Sequence, residues 1–126
     1  MLIAGGGVAG MEAMLAVRDL AGERAEVTLL DAETDFLYKP LLVEEPFGLD
    51  LAEQHALEPA AKELGARFVQ GRLARVRPEN HQVDLQGGDI LPYDYLVVCL
   101  GGRHVPAYHG VTTFPDMRRP PRQTTR

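Results

Sequence analysis

The stretch Leu2-Ile3-Ala4-Gly5-Gly6-Gly7-Val8-Ala9-Gly10 decides the fold of this chain. Its apolar beginning ends at a run of glycines, and helix-forming residues then continue as far as Val17. This order predicts a strand, a tight turn and a helix, which ends at Gly22. The spacing Gly5-x-Gly7-x-x-Gly10 is typical of turns that bind the diphosphate of a dinucleotide, when they join a strand to a helix.

Each glycine of this spacing has its own physical reason in a dinucleotide site. Gly5 permits the tight turn, Gly7 lets the backbone come close to a pyrophosphate, and Gly10 lets the helix pack closely on the strand. The unpaired N–H groups at the start of the helix and its positive dipole end would bind the phosphates. The alternative is that the glycines only form a turn.

An acidic residue stands where such sites bind a ribose. Residues 27–31 predict a second, nearly all-apolar strand that ends at Asp31, about 20 residues after Gly10. A carboxylate there can accept hydrogen bonds from the ribose hydroxyls of an adenosine and would repel a 2′-phosphate, which favours FAD or NAD over NADP. The fingerprint leaves FAD and NAD open, because both contain the same ADP half. The alternative is that Asp31 only ends a strand.

The later segments extend this pattern to an α/β fold. The apolar residues of segment 32–51 follow neither the period of a helix nor that of a strand. Beyond this segment we expect a helix over about residues 59–64, with an earlier start left open, and a strand at 67–70. Three short antiparallel strands should follow at 72–76, 82–85 and 89–91, and a last strand at 95–100. The prediction is a Rossmann-like, doubly wound parallel sheet with a small antiparallel β-meander.

Composition and charge restrict the class of protein. The chain has 126 residues, of which 45% are hydrophobic and 25% charged, and this fits one globular domain. Its net charge of −5 argues against nucleic-acid binding, and no apolar run is long enough for a transmembrane helix. The single cysteine and the absence of a secretory signal predict a cytoplasmic protein. The four histidines do not cluster, so no metal site is expected.

Four segments together resemble the N-terminal FAD-binding part of the pyridine nucleotide-disulfide oxidoreductase superfamily. They are residues 2–10, 27–31, 36–41 and 93–101, and the most similar branch is that of the sulfide:quinone reductases and type II NADH dehydrogenases. The resemblance covers about residues 1–114. It implies FAD as the cofactor, with NAD(P)H as a co-substrate of an intact relative. It also implies that the flavin carries the electron chemistry, and we assign no catalytic residue in this chain.

The resemblance also implies where the cofactor would lie. The glycine turn would hold the pyrophosphate, Asp31 the adenosine ribose, and the backbone around Arg72 and Leu73 the adenine, while Lys39-Pro40 would lie towards the flavin. Cys99-Leu100-Gly101 matches the place where the superfamily commonly has Ala-Thr-Gly. The expected cofactor contacts are Gly5, Gly6, Gly7, Val8, Ala9, Gly10, Asp31, Lys39, Pro40, Arg72, Leu73, Cys99 and Gly101.

The chain departs from the family pattern after Phe114. Residues 1–114 would form a partial FAD-binding domain, and the arginine- and proline-rich residues 115–126 are expected to be a disordered basic tail. Relatives continue into an NAD(P)H-binding domain and a C-terminal segment, and disulfide reductases carry a cysteine pair that residues 32–66 lack. We therefore expect a truncated flavin oxidoreductase that self-associates.

The alternatives come from different functional classes. They are an inactive remnant, a FAD- or NAD-binding module that needs a companion chain, and a plain NAD-binding domain. Contact of the protein with a membrane surface is implied only by the resemblance to this family.

Overall fold

The computed structural model describes residues 1–37 and 54–102. Within these residues the chain forms nine strands and two α-helices. They are β1 (Leu2–Ala4), α1 (Val8–Ala21), β2 (Thr28–Asp31), β3 (Asp35–Leu37), β4 (Gln54–Ala56), α2 (Leu57–Glu63), β5 (Arg67–Gln70), β6 (Leu73–Arg77), β7 (Gln82–Leu85), β8 (Ile90–Pro92) and β9 (Leu96–Val98). None of these helices is long and apolar enough to cross a membrane.

Four strands form one parallel sheet in the order β5-β2-β1-β9. The helix α1 leads from β1 to β2, and together these elements make a βαβ unit. The strand β1 is buried along its whole length, because both faces of the sheet are covered.

The helices cover one face of the sheet. Because successive side chains of a strand point to opposite faces, Ile3 and Leu29 lie on this side. They pack with Met14 of α1 and Leu57 of α2 in a fully buried cluster. This helix-side core places the beginning of α2 close beneath the glycine turn.

The antiparallel meander β6-β7-β8 covers the other face. Leu2 and Leu30 point to this side and pack with Val83 and Leu85 of β7. The sheet therefore separates two apolar cores, one made with helices and one made with strands.

One arginine joins the carboxyl ends of the two helices. Arg18 donates hydrogen bonds from Nε to the carbonyl oxygen of Leu64 at 2.6 Å, and from its two terminal nitrogens to those of Gly22 at 2.6 Å and Gly65 at 2.8 Å. The last carbonyls of a helix have no partner within the helix, so a cationic donor there satisfies both the hydrogen bonds and the helix dipole.

The predicted α/β fold, a Rossmann-like parallel sheet with a small antiparallel meander, is confirmed. The first helix gives way to a 3₁₀ turn at Gly22, and the second helix begins at Leu57, earlier than the expected core of 59–64. The sequence analysis missed the antiparallel pair of β3 and β4. Each of these strands has only three residues, which is too few to show an alternation of apolar and polar side chains.

Candidate dinucleotide-binding site

Four of the expected segments meet at one edge of the sheet. The parallel strands β1, β2, β5 and β9 all end there, and the residues that follow them are joined by backbone hydrogen bonds. The Gly5 N–H donates to the Leu30 carbonyl at 2.8 Å, and the Cys99 N–H donates to the Ala4 carbonyl at 2.7 Å. In open α/β sheets, ligands bind at this carboxyl edge.

Two glycines of the turn are required by packing within the protein. Gly5 has a φ of +112°, and a Cβ on it would overlap the carbonyl group of Cys99. A Cβ on Gly10 would overlap the carbonyl oxygen of Gly5. Glycine at position 5 thus lets β9 close against the turn, and glycine at position 10 lets α1 approach it.

Gly7 differs from both, because packing within residues 1–37 and 54–102 does not require a glycine there. Its φ of −74° suits any residue, and a Cβ would meet no atom of these residues within 4 Å. Gly7 precedes α1, the following Val8 and Ala9 are exposed, and no side chain in residues 1–37 and 54–102 caps the helix. The free N–H groups and the open space fit an anionic diphosphate.

The carboxylate of Asp31 is held by two backbone N–H groups. Oδ2 accepts a hydrogen bond from the Gly6 N–H at 2.5 Å, and Oδ1 accepts one from the Glu33 N–H at 2.8 Å. Asp31 is half-buried at the end of β2. A carboxylate has about four acceptor positions, so each oxygen can still accept from a ribose hydroxyl.

Arg72 and Leu73 lie on the β5 side of Asp31, Arg72 just before the meander and Leu73 as the first residue of β6. The terminal nitrogen of Arg72 stands 3.7 Å from Oε1 of Glu33, and both side chains are exposed. The Arg72 carbonyl accepts a hydrogen bond from the Gln86 N–H at 2.9 Å, and Leu73 packs into the meander-side core. The Arg72 side chain is therefore exposed to solvent, whereas its backbone is held by a hydrogen bond.

Cys99 and Gly101 lie on the other side of the glycine turn. Cys99 is a free, half-buried thiol whose backbone packs against Gly5. Gly101 has a φ of +69°, and a Cβ on it would meet no atom of the described residues within 4 Å.

Lys39 and Pro40 lie outside the described residues, as does the segment 115–126. Among residues 1–37 and 54–102, no three His, Cys, Asp or Glu side chains come together as a metal site.

Sequence reasoning missed two contributors to this edge. Leu57 packs beneath Gly6, and the backbone of Glu33 binds Asp31. An acidic residue that bonds the N–H two positions later is a known turn pattern, which could have indicated Glu33. No sequence signal links Leu57 to the turn, since that contact depends on the tertiary fold.

The parallel sheet, with a glycine turn between its central strand and first helix, defines a Rossmann-like fold. The sequence model of the pyridine nucleotide-disulphide oxidoreductase family matches residues 1–124, and the chain belongs to this family. It is thereby related to flavin-dependent NAD(P)H oxidoreductases.

Individual relatives agree with this assignment. A type II NADH:quinone oxidoreductase of Haemophilus influenzae is 33% identical over 118 residues, a match that covers 82% of this chain and 27% of the relative. The sulfide:quinone oxidoreductase of Aquifex aeolicus superposes with a TM-score of 0.76 at 25% identity, over 82% of this chain and 24% of that one.

A NAD-dependent persulfide reductase from A. fulgidus shares the fold, with a TM-score of 0.71 at 24% identity over 82% of this chain and 21% of the other. The chain thus spans about a quarter of the length of the relatives it matches, 27% in the curated case.

Proposed function

We propose that this chain binds FAD at the carboxyl edge of its parallel sheet, as part of a flavin-dependent NAD(P)H or sulfide:quinone-type oxidoreductase. Residues 1–114 would form the FAD-binding domain. The contacts would come from the turn at residues 5–10, from Asp31, from the backbone at 72–73 and from the segment at 99–101, with Lys39-Pro40 towards the flavin. The bound flavin would supply the hydride and electron transfer, and the chain would supply position and electrostatics.

The observation that carries this proposal is the open space at Gly7. Gly5 and Gly10 are explained by the packing of the protein on itself, whereas no described residue explains Gly7. A glycine without neighbours among the described residues, directly before a helix with no side-chain cap among them, supports a phosphate group that approaches the backbone.

Family membership supports a flavin rather than NAD as the resident cofactor. The half-buried Asp31 carboxylate supports a ribose with free hydroxyl groups, because a 2′-phosphate would be repelled there. The electron partners are proposed from relatives, which are named for NADH, sulfide and quinone.

A FAD-binding experiment with one matched variant tests the proposal. The purified protein is refolded with excess FAD, and the retained cofactor is measured by its visible flavin absorbance and its mass. Gly7→Val should keep the circular dichroism spectrum and nearly the unfolding midpoint of the wild type, because a Cβ at this position would meet no atom of the described residues within 4 Å. It should lose FAD, because the side chain fills the space for the diphosphate.

Either of two results would contradict the proposal. One is a wild-type protein that takes up no FAD under these conditions. The other is a Gly7→Val variant that retains FAD as well as the wild type does.

A second candidate is a FAD- or NAD-binding module that acts only with a companion chain or a second copy. It is favoured by exposed apolar side chains next to the proposed site, which include Val8 on α1 and Leu100 after β9, at 49% and 58% exposure. Turnover with NADH and a soluble quinone separates the two candidates. Flavin-dependent turnover by this chain alone would contradict the module.

A further inference from the structure

Gly6 lies beside both an apolar side chain and the Asp31 carboxylate. A Cβ on Gly6 would lie 2.7 Å from Cδ1 and 3.0 Å from Cδ2 of Leu57, and 3.2 Å from Oδ2 of Asp31. Gly6 itself is buried. Leu57 and Asp31 therefore both crowd the side of Gly6 on which a side chain would stand.

Leu57 is held firmly by its surroundings. Its side chain is 1% exposed and belongs to the helix-side core together with Ile3 and Leu29. Its backbone N–H donates to the Thr34 carbonyl at 2.8 Å, and this bond fixes the start of α2 to the segment after β2. Displacing the two terminal methyl groups would require a close-packed core to rearrange.

Gly6 links two parts of the proposed cofactor site. It belongs to the turn that would hold the pyrophosphate, and its N–H bonds the carboxylate that would hold the ribose. Together with the bond from the Gly5 N–H to the Leu30 carbonyl, this hydrogen bond therefore helps to set the separation of the two parts, which must suit the span of an ADP group.

We propose that Leu57 is a positioning residue of the cofactor site. It packs on Gly6, keeps the Gly6 N–H at the Asp31 carboxylate, and so holds the turn and the acidic residue at the spacing that an ADP group needs. This inference rests on the proposed function as far as ligand binding is concerned. The positioning of Gly6 can be measured without any ligand.

The test compares two identical deletions in the apo protein. Leu57→Val withdraws the methyl groups that face Gly6. Leu2→Val makes the same change in the opposite core, where Leu2 is 2% exposed at the far end of β1. In Leu57→Val, the Gly6 amide should exchange its hydrogen faster and lose the downfield shift of a bond to a carboxylate. In Leu2→Val and in the volume-conserving Leu57→Met, it should remain as in the wild type.

The second readout is the affinity for ADP, which contains the adenine, the ribose and the pyrophosphate but no flavin. Leu57→Val should weaken ADP binding about tenfold, or ~1.4 kcal/mol, whereas Leu2→Val should leave it nearly unchanged. In the background of Asp31→Asn the effect of Leu57→Val should shrink, because the two residues act through the same hydrogen bond.

The outcomes separate this inference from the proposed function. An unchanged Gly6 amide in Leu57→Val, or an equal loss of ADP affinity in Leu2→Val, would overturn the positioning role. A wild-type protein that does not bind ADP would overturn the proposed function, while the Gly6 amide would still decide whether Leu57 holds the turn.

Discussion

At Gly10 a Cβ would overlap the Gly5 carbonyl oxygen, whereas at Gly7 it would meet no atom of the described residues within 4 Å. The glycines of one spacing thus differ in their surroundings. The sequence analysis assigned a separate reason to each glycine, and the packing at Gly5 and Gly10 agrees with those reasons. The role of Gly7 in the approach of a pyrophosphate stays a prediction.

The stability of alanine variants should reveal this difference between the glycines. Gly10→Ala should lower the free energy of unfolding by more than ~2 kcal/mol, because either the turn or α1 must move. Gly7→Ala should change it by no more than ~0.5 kcal/mol. Urea unfolding of both variants measures the contrast, and equal losses would contradict it.

The strands and helices with a strong local residue pattern could be predicted from the sequence. The strands of the parallel sheet are short apolar runs, and Gly22 marks the end of α1. The pair β3–β4 and the contact of Leu57 with Gly6 could not be predicted, since both depend on residues that the fold brings together from distant parts of the chain.

The two helices are fastened to each other by Arg18, and this contact gives a prediction for the stability of the elements. Arg18→Lys keeps the positive charge but cannot reach the carbonyls of Gly22, Leu64 and Gly65 together, because an ammonium lacks the planar fork of a guanidinium. We expect a loss of about 2 kcal/mol in the free energy of unfolding.

The matched control for this experiment is Arg24→Lys. Arg24 also bonds helix carbonyls, those of Leu20 and Ala21, but it is exposed and stays within one helix end. Chemical denaturation should show little change in Arg24→Lys. A similar loss in both variants would mean that charge at the helix end, and not the link between helices, matters.

At the scale of the molecule, the flank of the parallel sheet at β9 is apolar and exposed among the residues that the structure describes. The edge strand β9 and its flanks carry Tyr95, Val98 and Leu100 at 71%, 56% and 58% exposure, and no residue from 95 to 101 is charged. The opposite edge strand, β5, begins with Arg67 and ends with Gln70. Charged and polar residues protect sheet edges from pairing, and β9 lacks that protection.

We therefore predict that the protein self-associates through β9. Light scattering should show a mass that rises with protein concentration, and Val98→Lys should shift the molecules towards the monomer by charging the edge. Ile90→Lys is the matched control, because Ile90 is equally exposed, at 54%, but lies on the meander. A wild-type protein that stays monomeric at high concentration would contradict the prediction.

The order of strands in the sheet also has a consequence for the way the chain folds. β1 leaves the ribosome before the other strands of the described sheet, yet one of its two neighbours is β9, the last of them. The meander pairs strands that follow one another directly, so it can form early, whereas the centre of the sheet must wait for nearly a hundred residues of synthesis. During that time the side of β1 that later pairs with β9 is unpaired. Pulse-labelled hydrogen exchange should accordingly show protected meander amides before those that join β1 to β9.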